Sequence, residues 1–228
     1  MVIFGKKIML SLNLINKNIY PIKTSITGKK ALSLMEEQKI SHLPVVNNKD
    51  FLGLISEADI MSNNINQSVG SYGLSLINPC VSLDNHIFDV VKIASEFKIT
   101  IVPVLNNKKI YIGCITLQTL TEEFGKVIAI YSPGAIIELE MYPQDYSPAQ
   151  IAHIAESNNC KIFHLSLVNL ENTAKIIVII KIDRTDTTQI IQAFSRYNYE
   201  VRASYNIEGD ISAHLKSRYD SLMSFLNV

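Results

Sequence analysis

The chain has 228 residues, with 21 basic and 21 acidic side chains, 47% apolar residues and 18% charged ones. That balance excludes a disordered or coiled-coil polyelectrolyte, an extended nucleic-acid surface and a polybasic membrane patch, and it leaves material for a buried core in one or two domains. The longest aliphatic run, Ile176 to Ile180, falls far short of the roughly 20 residues of a membrane span, and Lys6 and Lys7 precede no long apolar block, so neither a span nor a signal peptide is expected.

The first periodic segment is a helix whose stripe is Ala31, Leu32 and Met35, with Thr27 as its N-cap. A strand from Leu43 to Val46, a turn over Asn47 to Asp50, and a second strand from Phe51 to Ile55 follow, and Ser56 opens another helix to about Met61. The same order then returns. Pro44-Val45-Val46-Asn47-Asn48-Lys49 recurs as Pro103-Val104-Leu105-Asn106-Asn107-Lys108, while Glu37, Lys39 and Ile40 recur as Glu96, Lys98 and Ile99, all at a spacing of 59. Gly53-Leu54-Ile55-Ser56 answers Gly113-Cys114-Ile115-Thr116 at a spacing of 60, so one residue is inserted between the two blocks. The second helix has Val90, Val91 and Ala94 as its stripe, with Asp84 or Asn85 as candidate caps.

From Ser132-Pro133-Gly134 onward the rhythm changes. Ile137, Leu139 and Met141 alternate with Glu138 and Glu140 in a strand, and Ser147-Pro148 forms an N-cap and N1 pair opening a helix. Strands over Ile162 to Val168 and Lys175 to Ile182, a helix from about Asp186, and a strand with Val201, Ala203 and Tyr205 complete a βαββαβ order, the ferredoxin-like arrangement. Ile211, Leu215, Leu222 and Leu226 lie at helical spacing in a tail over 210–228, which predicts an amphipathic helix.

The motif His42-Leu43-Pro44-Val45-Val46 followed by Gly53-Leu54-Ile55-Ser56-Glu57-Ala58-Asp59, duplicated in register, resembles a tandem pair of CBS motifs (a Bateman module) over residues 12–126, with repeats of about 12–66 and 74–126. The second half, 132–207, looks like an ACT domain, and the order of the two is similar to acetoin-utilisation-type regulatory proteins. The expected fold class is therefore α+β, a CBS-domain pair followed by a ferredoxin-like ACT-like domain.

That resemblance implies an adenosine-containing ligand (AMP, ADP, ATP or S-adenosylmethionine) at the junction between the second strand and its helix. Residue chemistry agrees: a hydroxyl at Ser56 can bond a sugar, and the Asp59 carboxylate one turn on can accept from two vicinal hydroxyls. Ile22 and Pro44 offer apolar faces to an adenine, and Lys23 and His42 are candidates to neutralise a phosphate, against the competing readings of a solvated lysine and, favoured for His42 beside Leu43, a partly buried structural histidine. Ser56 and Asp59 also read as an N-cap with a first-turn acid, which stabilises a helix end without any ligand. In the second repeat Thr116 keeps the hydroxyl, but Thr119 replaces the carboxylate.

Asp145-Tyr146-Ser147-Pro148 stands where amino-acid-binding ACT domains carry Asp-Arg-Pro-Gly, and proline in place of glycine removes an N–H donor. An interaction or dimerisation role is expected for that half. His153 and Glu156, at i and i+3, form the one His/Glu pair with metal-ligand spacing, and no second pair converges on them. Cys80, Cys114 and Cys160 sit among apolar neighbours with no CxxC spacing, as inert thiols do. The expectation is a cytoplasmic, non-catalytic regulator without cofactor or metal, a homodimer that acts on an unidentified protein and contacts neither nucleic acid nor membrane. The alternative is a ligand-free dimerisation scaffold.

Overall fold

The computed structural model describes residues 9–73 and 76–206, and the chain divides into two units, 1–124 and 125–228. The expected tail helix at 210–228 lies outside the described residues.

The first unit carries the duplication. In repeat 1, β1 (Ile22–Lys23) runs parallel to β2 (His42–Asn47), which pairs antiparallel with β3 (Asp50–Ser56). Helices α2 (Gly28–Gln38) and α3 (Glu57–Met61) complete it. Repeat 2 follows the same plan with β4 (Val81–Ser82), α4 (Ile87–Phe97), β5 (Ile101–Leu105), β6 (Tyr111–Thr116) and α5 (Leu117–Val127). Leu43, Ile55 and Ile60 are fully buried in the first repeat and Ile87, Ile101 and Ile115 in the second. Thr27 caps α2 by accepting from Lys30 N–H. Helix α4 departs from expectation: neither Asp84 nor Asn85 caps it. His86 does, accepting from Phe88 N–H while the Asp89 carboxylate accepts from His86 N–H. Asn85 is instead occupied one residue upstream, accepting from Ser82 N–H. The inserted residue falls in the second hairpin turn, where Lys109 adopts φ 59° and Tyr111 pairs with Leu105 as Phe51 does with Val46.

Each repeat is closed by a segment that precedes the other. The linker closes repeat 1, with Gly28 N–H donating to Gln67 O, Val69 N–H to Ile26 O, Gly70 N–H to Thr24 O and Leu54 N–H to Ile77 O. Gly53, at φ 141° beside a register shift in the β2–β3 pair, lets Leu76 and Ile77 approach its backbone. The amino-terminal segment, with α1 (Ser11–Leu14), closes repeat 2: Ser11 N–H donates to Asn85 O, Ile87 N–H to Met9 O and Asn16 N–H to Cys114 O.

The second unit has β7 (Ala135–Met141), α6 (Pro148–Ser157), β8 (Ile162–Asn169), β9 (Ile176–Ile182), α7 (Thr188–Arg196) and β10 (Glu200–Asn206). The strands form one antiparallel sheet in the order β10-β7-β9-β8, the ferredoxin-like order. Ser147 caps α6 and Pro148 takes its first position. Helices α6 and α7 bury Ile151, Ile154, Ile190 and Phe194 on the sheet face that carries Ile137, Leu139, Val178 and Ile180.

Candidate functional site

The strand–helix junction of repeat 1 is a closed box. Ser56 ends β3 with extended backbone and caps α3: its Oγ accepts from Asp59 N–H at 3.0 Å and donates to Asp59 Oδ2 at 2.7 Å. The same Oδ2 accepts Ser56 N–H at 2.9 Å. Both bonds fall on one carboxylate oxygen, so Oδ1 accepts no hydrogen bond from the described residues.

His42 sits across the ladder, as the register partner of Ser56. Its Nδ1 accepts from Thr100 N–H at 3.3 Å and lies 3.1 Å from Thr100 Oγ1. Thr100 Oγ1 in turn accepts Ser41 N–H at 3.0 Å. An Nδ1 that accepts from a backbone N–H leaves the neutral ring's proton on Nε2. Burial pushes the imidazole below its ordinary 6.5, and the nearby Asp59 carboxylate opposes that shift. Thr100 is the counterpart of Ser41 at the 59-residue spacing, so these bonds tie the repeats together at equivalent points. A second tie lies at the hairpin tips, where Tyr111 N–H donates to Lys49 O and the Phe51 and Tyr111 rings stack at 6.1 Å.

Repeat 2 builds the same box without charge. Thr116, 8% exposed, accepts from Thr119 N–H at 3.1 Å, and the two hydroxyls lie 3.0 Å apart.

The structure thus brings Ser56, Asp59 and His42 together, with Thr100 added. No motif in the sequence points to Thr100; it stands at the 59-residue spacing from Ser41. Thr116 belongs to the equivalent junction of repeat 2 as the register partner of Ile101. Pro44 is buried opposite Leu54 in the β2–β3 ladder. Ile22, buried, and Lys23, exposed, pair with Val45 and Val46, three and four residues along β2 from His42, a separation of about 10–13 Å at a strand's rise. Beside that end of the ladder is a cavity of about 220 Å³ lined by Thr24, Val45, Leu52, Val69, Gly70 and Leu76.

In the second unit a cavity of about 610 Å³ opens at the β7–α6 connection, where Asp145 and Ser147 stand. Lys175 bridges Glu140 at 2.8 Å and Glu200 at 3.4 Å there, with its ammonium 5.8 Å from the centre of the Tyr142 ring. The Lys175 hydrogen bond holds the Glu140 carboxyl below the usual range. Among the described residues no group of three or more His, Cys, Asp or Glu side chains has metal-site geometry. His153 and Glu156 are exposed on α6. Burial raises all three thiol pKa values, that of Cys114 to about 12, which suits inert cysteines. No described helix is long and apolar enough to cross a membrane.

Residues 11–65 match the model of the CBS domain family. The chain is 30% identical over 115 residues to a homoserine O-acetyltransferase from Methanococcus vannielii, an alignment covering 48% of this chain and 23% of that one. The chain therefore spans about a quarter of that relative's length. Among solved structures it is similar to a CBS domain pair/ACT domain protein from Thermotoga maritima, at 18% identity and a TM-score of 0.47, covering 52% of this chain and 98% of that one. It is similar also to the CBS domains of a transcriptional regulator from Streptococcus pneumoniae, at 19% identity and a TM-score of 0.46, covering 51% and 99%. A third is CBSX2 in complex with AMP, at 20% identity and a TM-score of 0.44, covering 52% and 97%.

Proposed function

We propose that the duplicated first unit is a non-catalytic sensor that binds an adenosine-containing ligand (AMP, ADP, ATP or S-adenosylmethionine) at the repeat 1 junction, and that a homodimer carries its response to a regulated protein. The observation that supports this most is the carboxylate of Asp59, held by the Ser56 box with Oδ1 accepting no bond from the described residues, beside the His42 imidazole, in the segment matched by the CBS domain family. A fixed anionic acceptor of this kind suits ribose hydroxyls, because it is oriented before the ligand arrives. Repeat 2, with Thr119 in that place, keeps only neutral hydroxyls. One strong site per chain follows.

Calorimetry with each adenosine compound tests this. Asp59→Asn, which keeps size and capping capacity, is expected to weaken the bound compound by roughly tenfold, the equivalent of about 1.4 kcal/mol. Thr119→Ala is expected to leave the affinity unchanged. Equal affinity in wild type and Asp59→Asn, or two equal sites per chain, would overturn the assignment. The ligand-free scaffold has one observation in its favour: the box already satisfies Ser56 and half of Asp59 internally. It predicts no thermal shift with any adenosine compound, where a bound one at about 100 times its Kd adds roughly 2.7 kcal/mol.

A further inference from the structure

Strand β9 is buried along both of its faces, with Ile179 half-buried and Lys181 its one polar side chain. Ile176, Val178, Ile180 and Ile182 pack under α6 and α7, while Ile177 and Lys181 on the opposite face are only 7% and 3% exposed. An antiparallel sheet with one solvated face alternates buried with exposed side chains, whereas a strand buried along both faces belongs to a sheet covered on both sides. Among the described residues of this unit, both helices lie on a single face. On that opposite face Ile179 pairs with Glu138 of β7, Lys181 with Ile136 and Ile177 with Glu140, and Tyr205 of β10, 52% exposed, pairs with Ile136.

We infer that residues 210–228 dock their apolar stripe on this second sheet face, within the same chain. The chain leaves the sheet at Asn206, the end of edge strand β10, so the segment starts beside the face it would cover. Ile211, Leu215, Tyr219, Leu222 and Leu226 repeat at spacings of four, four, three and four, a continuous stripe on one side of a helix. Nineteen residues of helix run to about 28 Å, against about 23 Å for a seven-residue strand, so one helix spans the face. Lys216 and Arg218 flank the stripe, and Glu138 on β7, the register partner of Ile179, stands on this face to receive one of them. Tethering to β10 makes the contact intramolecular and favours this segment over a second copy.

The test uses the full 228-residue chain with Cys80→Ser, leaving buried Cys114 and Cys160 in place. A reporter thiol is put on the face by Ile179→Cys and, separately, by Ser166→Cys on the neighbouring β8, and its reaction with dithionitrobenzoate is timed. The thiol is expected to react slowly, and at least about tenfold faster once Leu215→Asp and Leu222→Asp break the stripe, as for a cover in place roughly 90% of the time. Ser217→Asp with Ser224→Asp, on the far side of the stripe, is expected to keep the protection, which separates docking from a general effect of tail charge. Fast reaction in every variant would show an open face, and slow reaction in every variant would show a different cover. Protection that grows with protein concentration would assign the face to a second copy. Any of these three results overturns the inference.

Discussion

Asp59 and His42 show how two side chains 17 positions apart come to share one environment: β2 and β3 pair so that His42 faces Ser56, and Ser56 holds Asp59. Because Asp59 also caps α3, truncation to alanine removes a helix cap along with any ligand contact. Asp59→Ala is expected to cost about 1 kcal/mol of unfolding free energy in the absence of ligand, measured by urea titration, and Asp59→Asn much less. His42 makes stability depend on pH. Its pKa in the folded protein lies below 6.5, so above 6.5 both states are neutral and its contribution is full. As pH falls from 6.5 toward the folded value, only the unfolded state takes up the proton, and stability is lost through that window. The urea midpoint of the wild type is therefore expected to drop between pH 7.5 and 5.5 by more than that of His42→Gln. An equal drop in both proteins would remove His42 as the cause.

At the scale of elements, the strongest sequence signals concern residues that satisfy their neighbours locally. Thr27, Ser56 and the Ser147-Pro148 pair each do at a helix start what their chemistry predicts, and the duplicated strands keep the register of the duplicated letters. His86 was hidden because an imidazole is a rare cap, although its spacing of 59 from Thr27 marked it. The linker ladder, made by residues 65–70 and Ile77, was illegible: its bonds run through backbone groups, which any residue supplies, and only the close approach at Gly53 required a particular residue. Thr100 was likewise silent, being a partner across the duplication rather than a member of a local motif. Gly134 ends the turn before β7 at φ 140°, and a Cβ there would strike the Ile182 carbonyl in β9. Gly134→Ala is expected to destabilise the second unit by about 2 kcal/mol or more, visible as a lower thermal midpoint, since it combines forbidden backbone with a backbone clash.

For the whole molecule, the duplication supplies its own control on assembly. Helices α4 and α5 border a groove of about 480 Å³ and expose Phe88, Phe97 and Leu117 at 54%, 45% and 41%. The counterparts in repeat 1 are Lys29, Gln38 and Glu57, which need no cover. Apolar patches of that kind mark interaction sites, and the homodimer proposed above is expected to use this one. Light scattering at micromolar concentration is expected to report more than the 25.6 kDa of one chain, and Leu117→Glu, which copies the repeat 1 residue, to lower it. A mass of one chain throughout the concentration range would exclude the dimer.

The reciprocal closure of the repeats has a historical side. An arm that leaves one repeat to complete the other is what results when two copies of a single-repeat ancestor exchange amino-terminal arms and are later fused end to end. Residues 9–16 and the linker segments 64–73 and 76–77 would then be the same arm twice, each still lying on its original host rather than on the repeat it precedes. Cutting the chain between them should undo the fusion without undoing the exchange. Residues 1–62 alone have lost the arm that completes repeat 1 and are expected to stay unfolded. Mixed with residues 63–126, which carry that arm, they are expected to recover helical and strand circular dichroism together at equimolar ratio. Independent folding of either fragment would mean that the arms are decoration on repeats already complete.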